Sequence, residues 1–210
     1  MKKIIIGCLV LSTISLAASN KYIEAKIGTE IYSKYSQFLV NGDEFLGQNT
    51  RNAKENREDL ENGFEVSLEF MKEYNKYVDL GLGVAYQRHA TRKISPKGEL
   101  GGDYDSVPVY FVGKFKIPTE SNYKPYFKFD IGYSFNKNEE PLKFPDGRVE
   151  AGLSVTDGSY FALGGGLEYD NFVAELMYGV TQSKFQDSYG EEDSGDYNKL
   201  TLSVGYKFNL

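Results

Sequence analysis

The sequence predicts an all-β fold: a closed antiparallel up-and-down transmembrane β-barrel of eight strands. Three observations lead there. Apolar and polar residues alternate with a period of two in eight successive runs, so each run presents one greasy and one wet face. The connections between runs alternate between short and long. The final residues, Leu200, Leu202, Val204, Tyr206, Phe208 and Leu210, with Thr201, Ser203, Gly205, Lys207 and Asn209 between them, form a strand with no later segment to cover its apolar face. A strand of this kind calls for lipid or a partner strand.

The elements follow in order. Met1-Lys2-Lys3 is a positive start, Ile4 to Leu16 is largely apolar, and Ala17-Ala18-Ser19 is a small-residue exit. This is the layout of a cleaved signal peptide over residues 1–19, with the barrel occupying 20–210. The apolar run is shorter than the roughly 20 residues a spanning helix needs. Cys8, the only cysteine, lies inside that run rather than after it. It therefore reads as leader core and not as a lipidation site, and disulfide or thiol chemistry is not expected in the exported part.

The first strand carries Ile23, Ala25, Ile27 and Ile31 against Glu24, Lys26, Gly28 and Glu30. The second sets Phe64, Val66, Leu68 and Phe70 against Glu65, Ser67 and Glu69, and the third sets Val78, Leu80, Leu82, Val84 and Tyr86 against Asp79, Gly81, Gly83 and Gln87. Val107, Val109, Phe111, Phe115 and Ile117 make a less regular fourth, and Phe127, Phe129, Ile131, Tyr133 and Phe135 a clean fifth. Phe161, Leu163, Leu167 and Tyr169 mark the sixth, Phe172, Ala174, Leu176, Tyr178 and Val180 the seventh, and the closing run the eighth. About 9–11 residues, the length of each, is what a tilted strand needs to cross a bilayer. Short polar links lie at 72–76, 119–122 and Asp170-Asn171, and long ones at 37–62, 89–103, 136–159 and 182–198. Outer-membrane barrels place short turns in the periplasm and long loops outside, so both termini are expected in the periplasm of a bacterium. Val149, Ala151, Leu153 and Val155 also alternate. Residues 147–158 are read as an extension of strand six or a loop hairpin, because a ninth strand would put Asp170-Asn171 on the wrong side.

Formal net charge is −6, and more negative once Lys2 and Lys3 leave with the leader, which disfavours nucleic acid as a partner. Mean hydropathy is −0.45; barrel strands are apolar on one face only, so a negative mean is compatible with them. Tyr, Phe and Gly are abundant (17, 14 and 22), a composition that suits strands. The polar faces carry Glu24, Glu30, Glu65, Glu69 and Asp79 on strands one to three, Lys114, Lys116, Lys124 and Lys128 on or beside four and five, then Glu168, Glu175, Lys199 and Lys207. Closed into an eight-stranded ring, this order sets an acidic wall against a basic one. Side chains fill the interior of a barrel that size, and buried charges need partners. An ion-pair network across the bore is expected, with no wide pore. The rival is a soluble two-sheet sandwich, on which the same charges would only coat the surface.

These features resemble the small outer-membrane β-barrels typified by outer membrane protein X and the transmembrane domain of outer membrane protein A. The resemblance runs from about Lys21 to Leu210. Its most specific part is Ser203-x-Gly205-x-x-Phe208-x-Leu210, similar to the family's terminal insertion signal, with Leu210 where an aromatic is usual. It implies insertion by the barrel-assembly machinery with periplasmic chaperones as passing partners.

Function is less legible. His89 is the sole histidine, and its neighbour two along is Thr91 rather than the Ser of a lipid deacylase. It reads as a surface residue in a basic patch with Arg88, Arg92 and Lys93, a patch suited to lipopolysaccharide phosphates, and no enzyme is expected. Asp187, Glu191, Glu192, Asp193 and Asp196 could offer oxygens to Ca²⁺, but such runs are usually solvated loop tips. Gly164-Gly165-Gly166 falls mid-strand and reads as packing, not as a phosphate cradle. No cofactor or metal site is implied. Two function classes remain: a scaffold displaying loops to host surfaces, phage or lipid, and a narrow pore for ions or small solutes.

Overall fold

Alternating runs leave every backbone N–H and C=O in search of a neighbouring strand, and in lipid no water can substitute. The computed structural model, which describes residues 20–35, 63–90, 104–138, 154–186 and 196–210 with short stretches at 38–40, 43–45, 93–94, 98–99, 142–143, 149–150 and 192–194, meets this demand with a ring. Its strands are β1 (Lys21–Tyr35), β2 (Phe64–Glu73), β3 (Val78–Arg88), β4 (Tyr104–Lys116), β5 (Tyr123–Asn138), β6 (Gly158–Tyr169), β7 (Phe172–Thr181) and β8 (Tyr197–Asn209). Each pairs antiparallel with its neighbour in sequence, and β1 pairs with β8 to close the barrel. Ile27 lies opposite Val66 on one side and Val204 on the other, so the apolar band crosses the seam unbroken.

Closure turns the fold inside out relative to a soluble protein. Leu163 and Phe127 are 66% and 62% exposed on the outer face, whereas Glu24 and Lys114 are fully buried in the bore. The charges therefore line an interior and do not coat a sandwich.

Chemistry at the short-turn end accounts for its tightness. Asn75 Oδ1 accepts from the N–H groups of Tyr77 (2.8 Å) and Val78 (2.9 Å) between β2 and β3. Thr119 Oγ1 donates to the Tyr123 carbonyl (2.5 Å) between β4 and β5. Asp170 takes φ of 53° between β6 and β7, the left-handed conformation that Asp tolerates in a two-residue turn.

Several strands outrun the expected length: β1 has 15 residues and β5 has 16. The apolar alternation marks only the part facing lipid, while backbone pairing continues beyond it. Of residues 147–158, those described show a loop hairpin at Val149–Glu150, one of the two expected arrangements, and Gly158 opens β6. Val149–Glu150 pairs with Leu142–Lys143, and Ser154–Val155 joins a three-stranded sheet with Lys184–Gln186 and Glu192–Ser194. The signal-peptide residues, Arg92, Asp187 and Glu191 lie outside the described residues.

Candidate functional site: the charged bore and its mouth

Inward positions of all eight strands stack as layers of lysine and carboxylate. Nearest the short turns, Lys116 of β4 meets Asp79 of β3 at 2.7 Å, and Lys207 of β8 meets Glu73 of β2 at 3.3 Å. Tyr22 donates to Asp79 (2.7 Å), and the Lys207 ammonium lies 3.8 Å from the centre of the Tyr22 ring. The next lysine, Lys114, reaches across from β4 to Glu24 on β1 (2.5 Å) and Glu168 on β6 (2.9 Å). Above it, Lys26 bonds Glu69 (2.7 Å) and Glu175 (2.8 Å), while Lys128 bonds the same two carboxylates at 2.5 and 3.2 Å. Lys199 meets Glu65 at 2.7 Å, and Gln87 Nε2 donates to that carboxylate at 3.0 Å.

Taking charges out of water is costly, and a buried pair holds only where geometry and further hydrogen bonds compensate. Three ammonium protons let each lysine serve two or more carboxylates. Tyrosines supply further donors: Tyr110 to Glu69 (3.1 Å) and Tyr126 to Glu175 (2.7 Å). Glu24, Glu69 and Glu175 bring oxygens within 4.8 Å of one another, a spacing that could suit a metal ion. Lys26 already sits among them, 2.7–3.7 Å from all three, and supplies the positive charge.

Every residue assigned to the network from sequence is buried or half-buried in the bore, whereas Lys124 is exposed, and the separation into acidic and basic walls is only partial. Lys26 stands within the acidic wall and Asp130, 3.5 Å from Lys128, within the basic one. Neither was assigned to the network from sequence, nor were the buried tyrosines Tyr22, Tyr110, Tyr126, Tyr160 and Tyr197. The phase of each strand carried the signal, since all of these alternate with lipid-facing neighbours. Gly83 makes room for one of them: a Cβ there would strike the Tyr110 ring. One cavity in the bore, bounded by Glu65, Lys128, Asp130, Tyr160 and Lys199, leaves about 10 Å³ open to a water's centre, which is room for about one water.

At the long-loop end the structure corrects the reading of His89. It is 4% exposed, not a surface residue of a basic patch. Alternation along β3 sends Arg88 outward, in register with Asp105 of β4, and His89 inward above Gln87. Its Nε2 lies 2.8 Å from Ser106 Oγ, and its Nδ1 lies 3.5 Å from Glu30 Oε1. The ring packs against Tyr197 (3.9 Å) and Tyr104 (4.9 Å). Ser106 donates to Asn136 Oδ1 at 2.8 Å, as Ser134 does at 2.7 Å. Asn136 Nδ2 donates to the carbonyls of Thr156 (3.0 Å) and Gln182 (3.3 Å). Tyr197 donates to the second oxygen of Glu30 and accepts from the Ala90 N–H. Gly63 leaves space for the Glu30 carboxylate, which a Cβ there would strike. The mouth is thus tied across the barrel by buried polar groups.

The sequence profile of the outer membrane protein beta-barrel domain matches residues 6–208. The chain belongs to that family. An uncharacterized protein of Pasteurella multocida is 26% identical over 239 residues, spanning 99% of this chain and 98% of its own. The outer membrane protein OprG of Pseudomonas aeruginosa superposes with a TM-score of 0.53 at 14% identity, covering 91% of this chain and 97% of OprG. Neisserial surface protein A gives a TM-score of 0.48 at 15% identity, covering 91% and 99%. Family membership and closed ring together make this an integral protein of the bacterial outer membrane. Arg88 is outward at the mouth and Lys93 lies in a two-residue hairpin with Gly98–Glu99. Of the terminal motif, Ser203 faces the bore with Gly205, while Phe208 and Leu210 are 50% and 68% exposed on the outer face.

Proposed function

We propose that the protein is a structural and surface-interaction scaffold that holds loops outside the cell over a bore filled by its own side chains. Both termini and the short turns then face the periplasm. The observation that carries this reading is the cross-bore bonding of Lys114, Lys26 and Lys128, each joined to two carboxylates from other strands. A solute would have to break those bonds to pass. Planar-bilayer recording tests it: purified protein should show no steady openings, and sustained unitary conductance would overturn the reading.

A narrow pore is the second reading, favoured by one observation: among the described residues, buried carboxylates outnumber lysines along the bore. Glu24, Glu30, Glu65, Glu69, Asp79, Asp130, Glu168 and Glu175 stand against Lys26, Lys114, Lys116, Lys128, Lys199 and Lys207. A conducting bore would therefore select cations.

The partners follow from the same scaffold. Arg88, Arg92 and Lys93 would meet lipopolysaccharide phosphates, and neutralising all three should weaken lipopolysaccharide co-purification. The β8 ending would be read by the assembly machinery with periplasmic chaperones in transit, and the loops would meet host-surface ligands. Catalysis is not part of the reading: Ser106 is fully buried and donates its hydroxyl hydrogen to Asn136, so it makes a poor nucleophile.

A further inference from the structure

The register of β1 and β2 places Lys21 directly opposite Lys72 at the short-turn end. Leu210 donates its N–H to the Lys21 carbonyl at 3.0 Å, so the backbone polar groups of Lys21 turn toward β8. Toward β2, Lys21 and Lys72 therefore form a pair without mutual hydrogen bonds. That kind brings side chains closest, with Cα atoms about 4.5 Å apart. Both lysines share the outward phase of Ile23 and Phe70, one row nearer the turns, and Lys72 is exposed. Like charges set opposite one another destabilise a sheet. Lys76 adds a third ammonium in the adjoining turn, 4.8 Å from the centre of the Tyr77 ring. Among the described residues at this end of β1 to β3, the carboxylate side chains are Glu73 and Asp79, and Lys207 and Lys116 take both up in the bore. The carboxylate of Leu210, beside Lys21, offsets one of the three charges at most. A positive surplus remains on the outer face.

Elsewhere around the same end the apolar band closes on aromatic rings, Tyr123 against Tyr169 (4.7 Å) and Phe172 against Tyr206 (5.3 Å). The border is thus aromatic on β5 to β8 and basic on β1 to β3. We propose that the Lys21–Lys72 pair binds the phosphate headgroup of an anionic phospholipid, whose acyl chains lie along Ile23, Phe70 and Leu80 in the rows beside it. A phosphodiester accepts charge-assisted hydrogen bonds from both ammonium groups and turns their repulsion into a bridge. Zwitterionic headgroups bring an ammonium of their own, so the surplus charge favours a headgroup without one. The choice of phospholipid rests on the reading that the short turns face the periplasm, where the leaflet is made of it. Lipopolysaccharide belongs to the opposite rim, at Arg88.

Reversible urea unfolding in vesicles tests the site, with phosphatidylcholine alone or mixed with phosphatidylglycerol. The mixture should raise the folding constant of the wild type several-fold. Lys72→Gln should change sign with the lipid. In phosphatidylcholine alone it relieves the repulsion and should raise the folding constant about 1.5- to 5-fold, the range for a cross-strand pair. In the mixture it should forfeit most of the gain that phosphatidylglycerol gives the wild type. Lys124→Gln removes another exposed lysine of the same end and should keep that gain, which separates a site from the general attraction of a basic surface. Inorganic phosphate, added to phosphatidylcholine vesicles at matched ionic strength, should not reproduce it, because free phosphate has no acyl chains to lie on the barrel. Equal lipid gains in wild type and Lys72→Gln, equal losses in the Lys72 and Lys124 variants, or full replacement by free phosphate would each overturn the proposal. So would a Lys72→Gln variant no more stable than wild type in phosphatidylcholine. Both leaflets of the vesicle carry the same lipid, so the outcome is independent of which way the short turns face.

Discussion

Lys114→Met tests the ion-pair network where it is most exposed to failure. The substitution keeps an unbranched side chain of similar length and removes the ammonium. Lys114 is fully buried and bonds Glu24 at 2.5 Å and Glu168 at 2.9 Å. Without it, among the described residues Glu24 keeps Lys26 at 3.7 Å as its salt-bridge partner, and Glu168 keeps Lys207 at 3.9 Å. Breaking one buried pair costs about 3–5 kcal/mol, chiefly through the charge left behind. Two carboxylates are stranded here, so the loss should sit at the upper end of that range. Reversible urea unfolding in lipid vesicles, followed by tyrosine fluorescence and heat-dependent gel mobility, measures it. Adding Glu24→Gln should recover part of the loss, with a coupling energy of about 1–3 kcal/mol in the double-mutant cycle. If Lys114→Met loses less than about 1 kcal/mol, the bore is hydrated enough to screen its charges. A sealed interior would then be refuted.

Three further outcomes follow from the fold. Leu163→Arg, on the outer face, should cost about 2–4 kcal/mol in the same unfolding assay if it lies near the bilayer midplane, whereas a soluble sandwich would tolerate it. Gly83→Ala drives a methyl into the Tyr110 ring and should cost about 1–3 kcal/mol, with Tyr110→Phe restoring none of it because the ring remains. Deleting Phe208 to Leu210 removes outer-face side chains of β8 together with the Leu210 N–H bond to the Lys21 carbonyl (3.0 Å). The truncated chain should reach the periplasm and fail to appear in heat-modifiable form in the outer membrane.

The barrel was legible because its two constraints are both periodic. Lipid demands apolar residues at alternate positions, and closure demands that the remaining ones share an interior, so phase alone places Glu24 or Lys128. Partner choice was not legible. Lys114 bonds Glu24 across 90 positions of sequence, and no local pattern specifies a pair that only ring geometry brings together. His89 shows the same limit more sharply. Thr91 is its neighbour two along in sequence, while the serine beside it belongs to β4 and the carboxylate to β1. Tyrosine misled for another reason. On β3 and β5, Tyr86 and Tyr133 face outward, while Tyr110 and Tyr160 face inward. The phenol suits both a membrane interface and a polar bore, so only its phase in the strand tells the two apart.

The sharing of lysines across the ring has a consequence for how the chain reaches its final state. Lys199 of β8 pairs with Glu65 of β2, and Lys207 with Glu73, each across 134 residues. Lys26 and Glu24 of β1 reach β7, β2 and β4. Apart from Lys26–Glu69 between the neighbouring β1 and β2, these bonds span strands that only closure of the β1–β8 seam brings together, and contacts so distant in sequence form late. Until the last strand docks, the charges must keep their hydration, so the growing sheet carries a column of water through the bilayer. Docking of β8 expels that column and forms the pairs together. The final step of assembly is therefore a drying transition, and its rate should slow wherever a bore charge is left without its counterpart.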